Sequence, residues 1–378
     1  MLVLGKDILS LDISLSVQKM FKPEQFIWHY EHGLLLQSVY AVSKIYNRLD
    51  LQQWVQSVYD GFITPDGDIK TYKKEEYNLD QINPGKYFFD AFKETHNQKY
   101  KKALDLLYLQ LQNQPRTQTG GFWHKKIYPW QMWLDGLYMA SPFYARYIAE
   151  FGDKSDFDDV VHQLELVYTH TLDERTGLLY HAWDESCKQL WADRDTGMSP
   201  HVWGRAMGWY CMAVVDVLDW VGDVPPYARK KLLLLVQRLI RPILDFQDAA
   251  TGLWYQVLDV GPKNANYLET SASAMFIYFL YKIVRTHCID SRKSDLIQSV
   301  LAAADKGLQG LSTRFTRGED GLLHLAGTCS GAGLGGNPYR DGSFQYYISE
   351  KQRVDDFKGL ATAILASLEF EIRSGEIK

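Results

Sequence analysis

The sequence predicts an all-α protein, a closed barrel of helical hairpins, and three observations carry that expectation. A turn pattern recurs along the chain, the segments between its copies have helical periodicity, and no run of alternating or valine-rich strand character is sustained. The pattern is a turn residue or two, Gly, an apolar residue, then an aromatic residue or His. It appears as Thr119-Gly120-Gly121-Phe122-Trp123-His124, Thr176-Gly177-Leu178-Leu179-Tyr180-His181, Thr251-Gly252-Leu253-Trp254-Tyr255 and Asp320-Gly321-Leu322-Leu323-His324, with a fainter copy at Pro65-Asp66-Gly67. Successive glycines lie roughly 50–75 residues apart, room for one helix pair and its connections.

The segments between the turns follow in order. Residues 135–151 place Leu137, Tyr138, Phe143, Tyr144, Tyr147 and Ile148 at three- and four-residue spacing, and 205–221 do the same with Met207, Cys211, Val214, Val215, Leu218 and Val221, with Gly222 as a stop. Residues 230–246 and 267–286 are strongly apolar, and 355–372 close the chain with Leu360, Ile364, Leu365 and Leu368. Tandem hairpins make either an open solenoid or a closed ring. Repeats this long and irregular favour the ring, with the aromatic turns gathered at one end. No Pro, Gly or Ser linker divides the chain, so 1–378 reads as one domain. The run Gly331–Gly336 lacks a following Lys-Ser or Lys-Thr pair and reads as a loop over a pocket rather than a phosphate loop.

Composition narrows the function. Of 378 residues, 46% are hydrophobic and 23% charged, which suits a large core. Aromatic residues reach 14%, enough to line a site that holds the apolar faces of sugar rings as well as to fill that core. A net charge of −5 leaves no basic footprint for nucleic acid, and an acidic ligand would need locally placed Lys or Arg. Cys187, Cys211, Cys288 and Cys329 are too scattered to read as a metal site or a disulfide framework. Lys6, Asp7 and Asp12 interrupt the N-terminus, which does not read as a secretory signal, and no apolar run is long enough to span a membrane. The cytoplasm is the expected compartment.

Four clusters place ionisable residues beside aromatic ones: 77–86, 121–136, 180–184 and 199–209. Asp135 is flanked by Met132, Trp133, Leu134, Leu137, Tyr138 and Met139. An Asp at a helix start is commonly a cap, but desolvation by such neighbours would raise its pKa and make it a proton donor near neutral pH. Asp80 precedes Asn83-Pro84-Gly85, where Asp often only initiates a turn. Acid–base sugar chemistry nevertheless needs paired carboxylates, and Asp80 is the candidate partner. His124 and His181 occupy equivalent positions in successive repeats, so both are expected to face one end, as structural or as functional residues. Arg205 and Trp209 share a helix face. They are either a snorkelling arginine packed on a ring, or a guanidinium for a sugar carboxylate backed by an aromatic platform. Lys125 offers a second positive charge, unless it is merely solvated like its neighbour Lys126.

Taken together, the segments YNLDQINPGK, GGFWHKK, QMWLDGLYM, GLLYHAWD, WGRAMGWY and, near the C-terminus, PYRDGSF resemble glycoside hydrolase family 105, the unsaturated rhamnogalacturonyl hydrolases. They extend from about Tyr77 to Phe344 in the family's order, and QMWLDGLYM and WGRAMGWY are the specific ones. The resemblance implies an (α/α)6 barrel, no metal or organic cofactor, and a small unsaturated acidic oligosaccharide as partner. It implies hydration of the C4=C5 enol ether of a non-reducing-end 4,5-unsaturated uronic acid, giving a hemiketal at C5 that opens and releases the next sugar. By the same resemblance Asp135 is the general acid/base, which protonates C4 and then takes a proton from the water attacking C5. Asp80 is the second acid, holding ring hydroxyls. His124, Lys125, Trp133, His181, Trp203 and Arg205 line the unsaturated-sugar subsite, and Trp209 lies near the leaving sugar. The N-terminal third matches less closely, so His29, Tyr30 and His32 receive no role. Rival readings are an unsaturated glucuronyl hydrolase, an inverting glycosidase with its acid and base about 6.5–9.5 Å apart, and a non-catalytic scaffold that binds acidic oligosaccharides. The leaving sugar and the oligomeric state are left open.

Overall fold

Twelve of the helices form two concentric rings, and the difference between them is written in their burial. The computed structural model describes residues 9–222, 226–263 and 265–375; of the N-terminal stretch read for a leader, 1–8 lie outside the described residues. The inner ring consists of α2 (Tyr30–Ile45), α4 (Lys86–Thr95), α6 (Leu134–Phe151), α8 (Gly204–Leu218), α10 (Thr270–Arg285) and α13 (Phe357–Ser374). Each packs on a partner of the outer ring: α3 (Leu49–Phe62), α5 (Gln98–Gln112), α7 (Phe157–Thr171), α9 (Pro226–Asp245), α11 (Ser294–Ser312) and, for α13, the first helix α1 (Ser10–Met20). A short helix, α12 (Phe344–Ser349), precedes α13.

The long inner helices α6, α8, α10 and α13 are covered on nearly all sides, so their sequences are largely apolar all round, whereas the short α4 buries only Tyr87, Phe88, Phe89 and Ala91. In α8 every residue except Asp216 is buried. An outer helix buries a stripe only: in α5 it is Tyr100, Ala103, Leu104, Leu107 and Leu111, the three- and four-residue spacing of one face. Neighbouring inner helices pack α6–α8–α10–α13–α2, and α4 with the turn before it (Asn83–Gly85) fills the gap between α2 and α6, so the ring closes. Close approach needs a small residue where α8 meets α10. A Cβ at Gly208 would lie 2.7 Å from the Met275 sulfur.

The expected (α/α)6 barrel is thus the observed fold. The repeated turns join an outer helix to the next inner one, at Gly67, Gly120, Gly177, Gly252 and Gly321, and all five glycines have positive φ (74–95°), which explains the residue type. They therefore sit at one end. Helix limits shift by a few residues from the sequence reading: 205–221 stops at Leu218, and 267–286 begins at Thr270 because Glu269 caps it through Ala272 N–H. Strands are limited to short pairs, of which β1 (Gln131–Trp133) against β2 (Ala182–Asp184) matters for the site. No helix among the described residues is long and apolar enough to cross a membrane.

Candidate active site

Five of the six inner helices begin at the end that carries the turns, α4 starting deeper after the Asn83–Gly85 turn, so the site is framed by helix N-termini, whose unpaired N–H groups favour a negatively charged ligand. Asp135 is the second residue of α6. The N-cap position belongs to Trp133, in extended conformation and without a side-chain cap bond, so Asp135 is not there to cap. Its side chain is 15% exposed, and Oδ2 stands 3.2 Å from His181 Nε2. The two atoms are not aligned as a hydrogen bond, and both are buried without any other partner. Local pairing delivers His181 to this place: Trp133 lies opposite Ala182 in the β1–β2 pair, and Leu134 N–H donates to the His181 carbonyl at 3.1 Å. The far nitrogen of the ring, Nδ1, is 2.8 Å from the Tyr347 hydroxyl on α12.

His124 arrives by the neighbouring repeat, its N–H donating to Gln131 O at 2.8 Å. Its ring stacks on Trp133 (centroids 4.7 Å apart), which stacks in turn on Tyr128 (4.9 Å). The ring fits only because residue 136 is glycine, since a Cβ there would meet His124 Nδ1 at 2.8 Å. Burial pushes His124 down to about 4, so it is a neutral ring at pH 7. Both histidines of the repeat therefore face the turn that carries Asp135.

Asp80 lies in a short 3-10 turn (Leu79–Gln81) whose start is capped by Asn78, the Asn side chain accepting from Asp80 N–H at 3.0 Å. Leu79 N–H donates to the His124 carbonyl at 3.1 Å and so ties this turn to the GGFWHKK segment. Asp80 Oδ2 is 2.6 Å from Lys125 Nζ, and Oδ1 is 3.8 Å from His124 Nε2. Burial alone would raise the Asp80 carboxyl, but the Lys125 ammonium at contact opposes it and holds the group below the ordinary value. Burial would likewise lower the Lys125 amine, and Asp80 outweighs that and raises it. Asp80 is accordingly ionised, and Lys125 compensates it rather than standing solvated. Lys125 also feels Asp135, so the two carboxylates share one electrostatic neighbourhood.

Arg205 is 1% exposed at the start of α8. Its Nη1 donates to Cys329 O (2.6 Å) and Ser271 Oγ (3.2 Å) and lies 3.9 Å from Glu269 Oε1, while Nη2 is buried with no hydrogen-bond partner. One arm of the fork holds the protein and the other is free. The aromatic partner differs from the sequence reading. Trp203, not Trp209, lies over the guanidinium, with Cζ 4.8 Å from its ring. Trp203 is the extended N-cap residue and folds back over the first turn, its indole N–H donating to Gln256 Oε1. Trp209, one turn deeper, stacks on Tyr138 of α6 (4.8 Å) and takes the edge of Tyr30 (6.3 Å), which makes it a floor beneath the site.

Two further residues enter that sequence reasoning left without a role or did not single out. Tyr30 opens α2 among Glu31, Arg205, Asp80 and Asp135; burial pushes its phenol far above the ordinary value, and the carboxylates add to this. The signal was the polar HYEH run of 29–32 directly before an apolar helix. Tyr347 follows the PYRDGSF segment by a few residues and had no charge to mark it. His29 also lies at this end, lowered by burial, whereas His32 packs against Phe357 (4.7 Å).

Two carboxylates held apart in character, one compensated by an amine and one facing the unbonded Nε2 of an imidazole, suit sugar–oxygen bond cleavage, and the molecule that carries them is a barrel glycosidase. The chain belongs to glycosyl hydrolase family 88, whose model matches residues 13–373. It is 41% identical to a glycoside hydrolase of family 105 from Clostridium acetobutylicum ATCC 824 of solved structure, with a TM-score of 0.90 over 96% of this chain and 99% of that one. That relationship bears out the family 105 resemblance of the motifs. A 24.9 kDa protein in the picA locus of Rhizobium radiobacter is 37% identical over 234 residues, 61% of this chain and 97% of that protein. The unsaturated rhamnogalacturonyl hydrolase YesR of Bacillus subtilis is 25% identical over 276 residues, 68% of this chain and 71% of its own length.

Proposed function

We propose that the chain, acting as a single catalytic domain, hydrates the C4=C5 double bond of a 4,5-unsaturated uronic acid at the non-reducing end of a short oligosaccharide. The observation that carries the reading is the Asp135 Oδ2–His181 Nε2 pair, buried and mutually unbonded, beside an ionised Asp80. Asp135 gives its proton to C4. A water then adds at C5 and returns a proton to the Asp135 carboxylate. The hemiketal at C5 opens to a ketone, and the aldehyde formed at C1 frees the neighbouring sugar, with one water consumed in total. Asp80 accepts hydrogen bonds from ring hydroxyls, the free Nη2 of Arg205 takes the sugar carboxylate, and His124, Lys125, Trp133, His181 and Trp203 shape the ring subsite. Trp209 supports the subsite from below.

Rhamnose is the leaving sugar we favour, on the likeness to YesR. A cavity of about 580 Å³ between Tyr128, Gln131, Gln189, Pro338 and Arg340 is the place for it, joined to the ring subsite by the Tyr128–Trp133 stack. All four cysteines are free, which suits the reducing cytoplasm.

The test is a lyase-generated disaccharide, whose near-ultraviolet absorbance the protein should bleach while a saturated disaccharide stays intact. Asp135→Asn should fold and leave the absorbance unchanged. Wild-type turnover by that variant, or equal cleavage of the saturated sugar, would refute the mechanism.

A further inference from the structure

A second sizeable cavity lies away from the turn-bearing end. About 710 Å³ of space opens at the opposite end, where the inner helices finish, lined by Gln37, Tyr87, Tyr138, Trp220, Tyr278 and Lys86 among others. Its carboxylates are already engaged. Arg146 forks onto Asp90 (2.7 and 3.0 Å) and Lys44 pairs with Glu94 (2.7 Å). Lys282 bridges Asp216 (2.8 Å) and Asp219 (2.6 Å), with the Tyr278 hydroxyl donating to Asp216.

Lys86 is different. Its half-buried ammonium has no carboxylate and no hydrogen-bond acceptor at bonding distance among the described residues, and rests 4.1 Å above the face of Tyr138. A ring face compensates a cation by only about 0.5–2 kcal/mol, less than a carboxylate at contact would in a half-buried place. Three N–H donors are therefore left over in a pocket of sugar-sized volume. Rings on its walls offer flat apolar surface for a pyranose.

We propose that this cavity is a second saccharide site, distinct from the hydrolytic one, that takes a monosaccharide carboxylate on Lys86. A neutral sugar would leave the ammonium unanswered, and a dianion would meet the four surrounding carboxylates, so a monoacid fits the charge balance. Tyr138 joins the two ends: Lys86 lies on it within the cavity, and it stacks on Trp209 beneath the hydrolytic site.

The experiment is calorimetric titration of the whole protein with D-galacturonate, and with D-galactose as the neutral control. The inference is independent of the unsaturated substrate, since neither sugar is hydrolysed. Wild-type protein should bind galacturonate, Lys86→Met should lose that component, and Arg205→Lys should retain it. Galactose should show none. Burial lowers the Lys86 amine to about 8, so wild-type affinity should fall about tenfold between pH 7 and pH 9 as the amine discharges. The pH series needs no variant and holds even if Lys86→Met fails to fold. Galacturonate binding that survives Lys86→Met, that vanishes in Arg205→Lys alone, or that is flat from pH 7 to pH 9 would overturn the proposal.

Discussion

The Tyr347 hydroxyl bonds Nδ1 of His181 at 2.8 Å while the opposite nitrogen of the same ring faces Asp135 at 3.2 Å. Burial keeps the phenol protonated far above its ordinary range, and its bond to Nδ1 fixes the ring in the orientation that turns Nε2 toward the carboxylate. Tyr347 is thus a positioning residue. Tyr347→Phe should lower kcat about tenfold or more, as losing an orienting partner does elsewhere, with a change in KM below about threefold. It should also displace the pH–rate profile, which a purely structural role would not. An unchanged profile would remove Tyr347 from the mechanism.

The Asp80–Lys125 pair makes a pH-dependent contribution to stability. Asp80 has a folded value below its unfolded one, so its share is present above pH 4 and is lost as pH falls through the folded value. Lys125 is raised, so its share is present below the unfolded value near 10.5 and fades as pH rises through the folded one. Asp80→Asn should therefore cost about 1–3 kcal/mol at pH 7, below the figure for a fully dry pair because Lys125 is 21% exposed. Denaturant melts should show the gap to wild type narrowing as pH is lowered from about 5 to about 3.

Gly136→Ala tests the packing of His124. An alanine is better than glycine inside a helix by about 1 kcal/mol, yet its Cβ would stand 2.8 Å from His124 Nδ1 and 3.1 Å from Leu79 Cδ1. The clash should win, destabilising the fold by about 1–3 kcal/mol and lowering activity because His124 and the Asp80 turn move together. A more stable variant with full activity would show that the ring yields freely.

Arg205→Lys separates charge from geometry. Lysine keeps the charge but not the fork that bonds Cys329 and Ser271 on one side and is unpartnered on the other. KM for the acidic disaccharide should rise about tenfold or more, and kcat should change less. An unaltered KM would remove the carboxylate-anchor role.

How much of this was legible beforehand depends on the kind of signal. The glycine turns were visible because positive φ demands a specific residue, and the long inner helices because burial on nearly all sides demands apolar sequence; together they gave the barrel. His124 and His181 were singled out because they recur beside those turns, and Asp135 because apolar residues flank it. The ring beneath Arg205 was misplaced because helix spacing joins it to Trp209, whereas the real partner belongs to the extended residue before the helix. Tyr347 and Lys86 acquire meaning only through neighbours that are distant in sequence, His181 for the first and Tyr138 for the second, and no local pattern encodes such pairs.

The stacked Tyr138 and Trp209, both buried, join inner helices α6 and α8 beneath the proposed subsite. Under the proposed reaction, this stack leaves a polymer no exit on the other side: a chain end would enter tip first, and each product would back out through the doorway it came in by before another end is admitted.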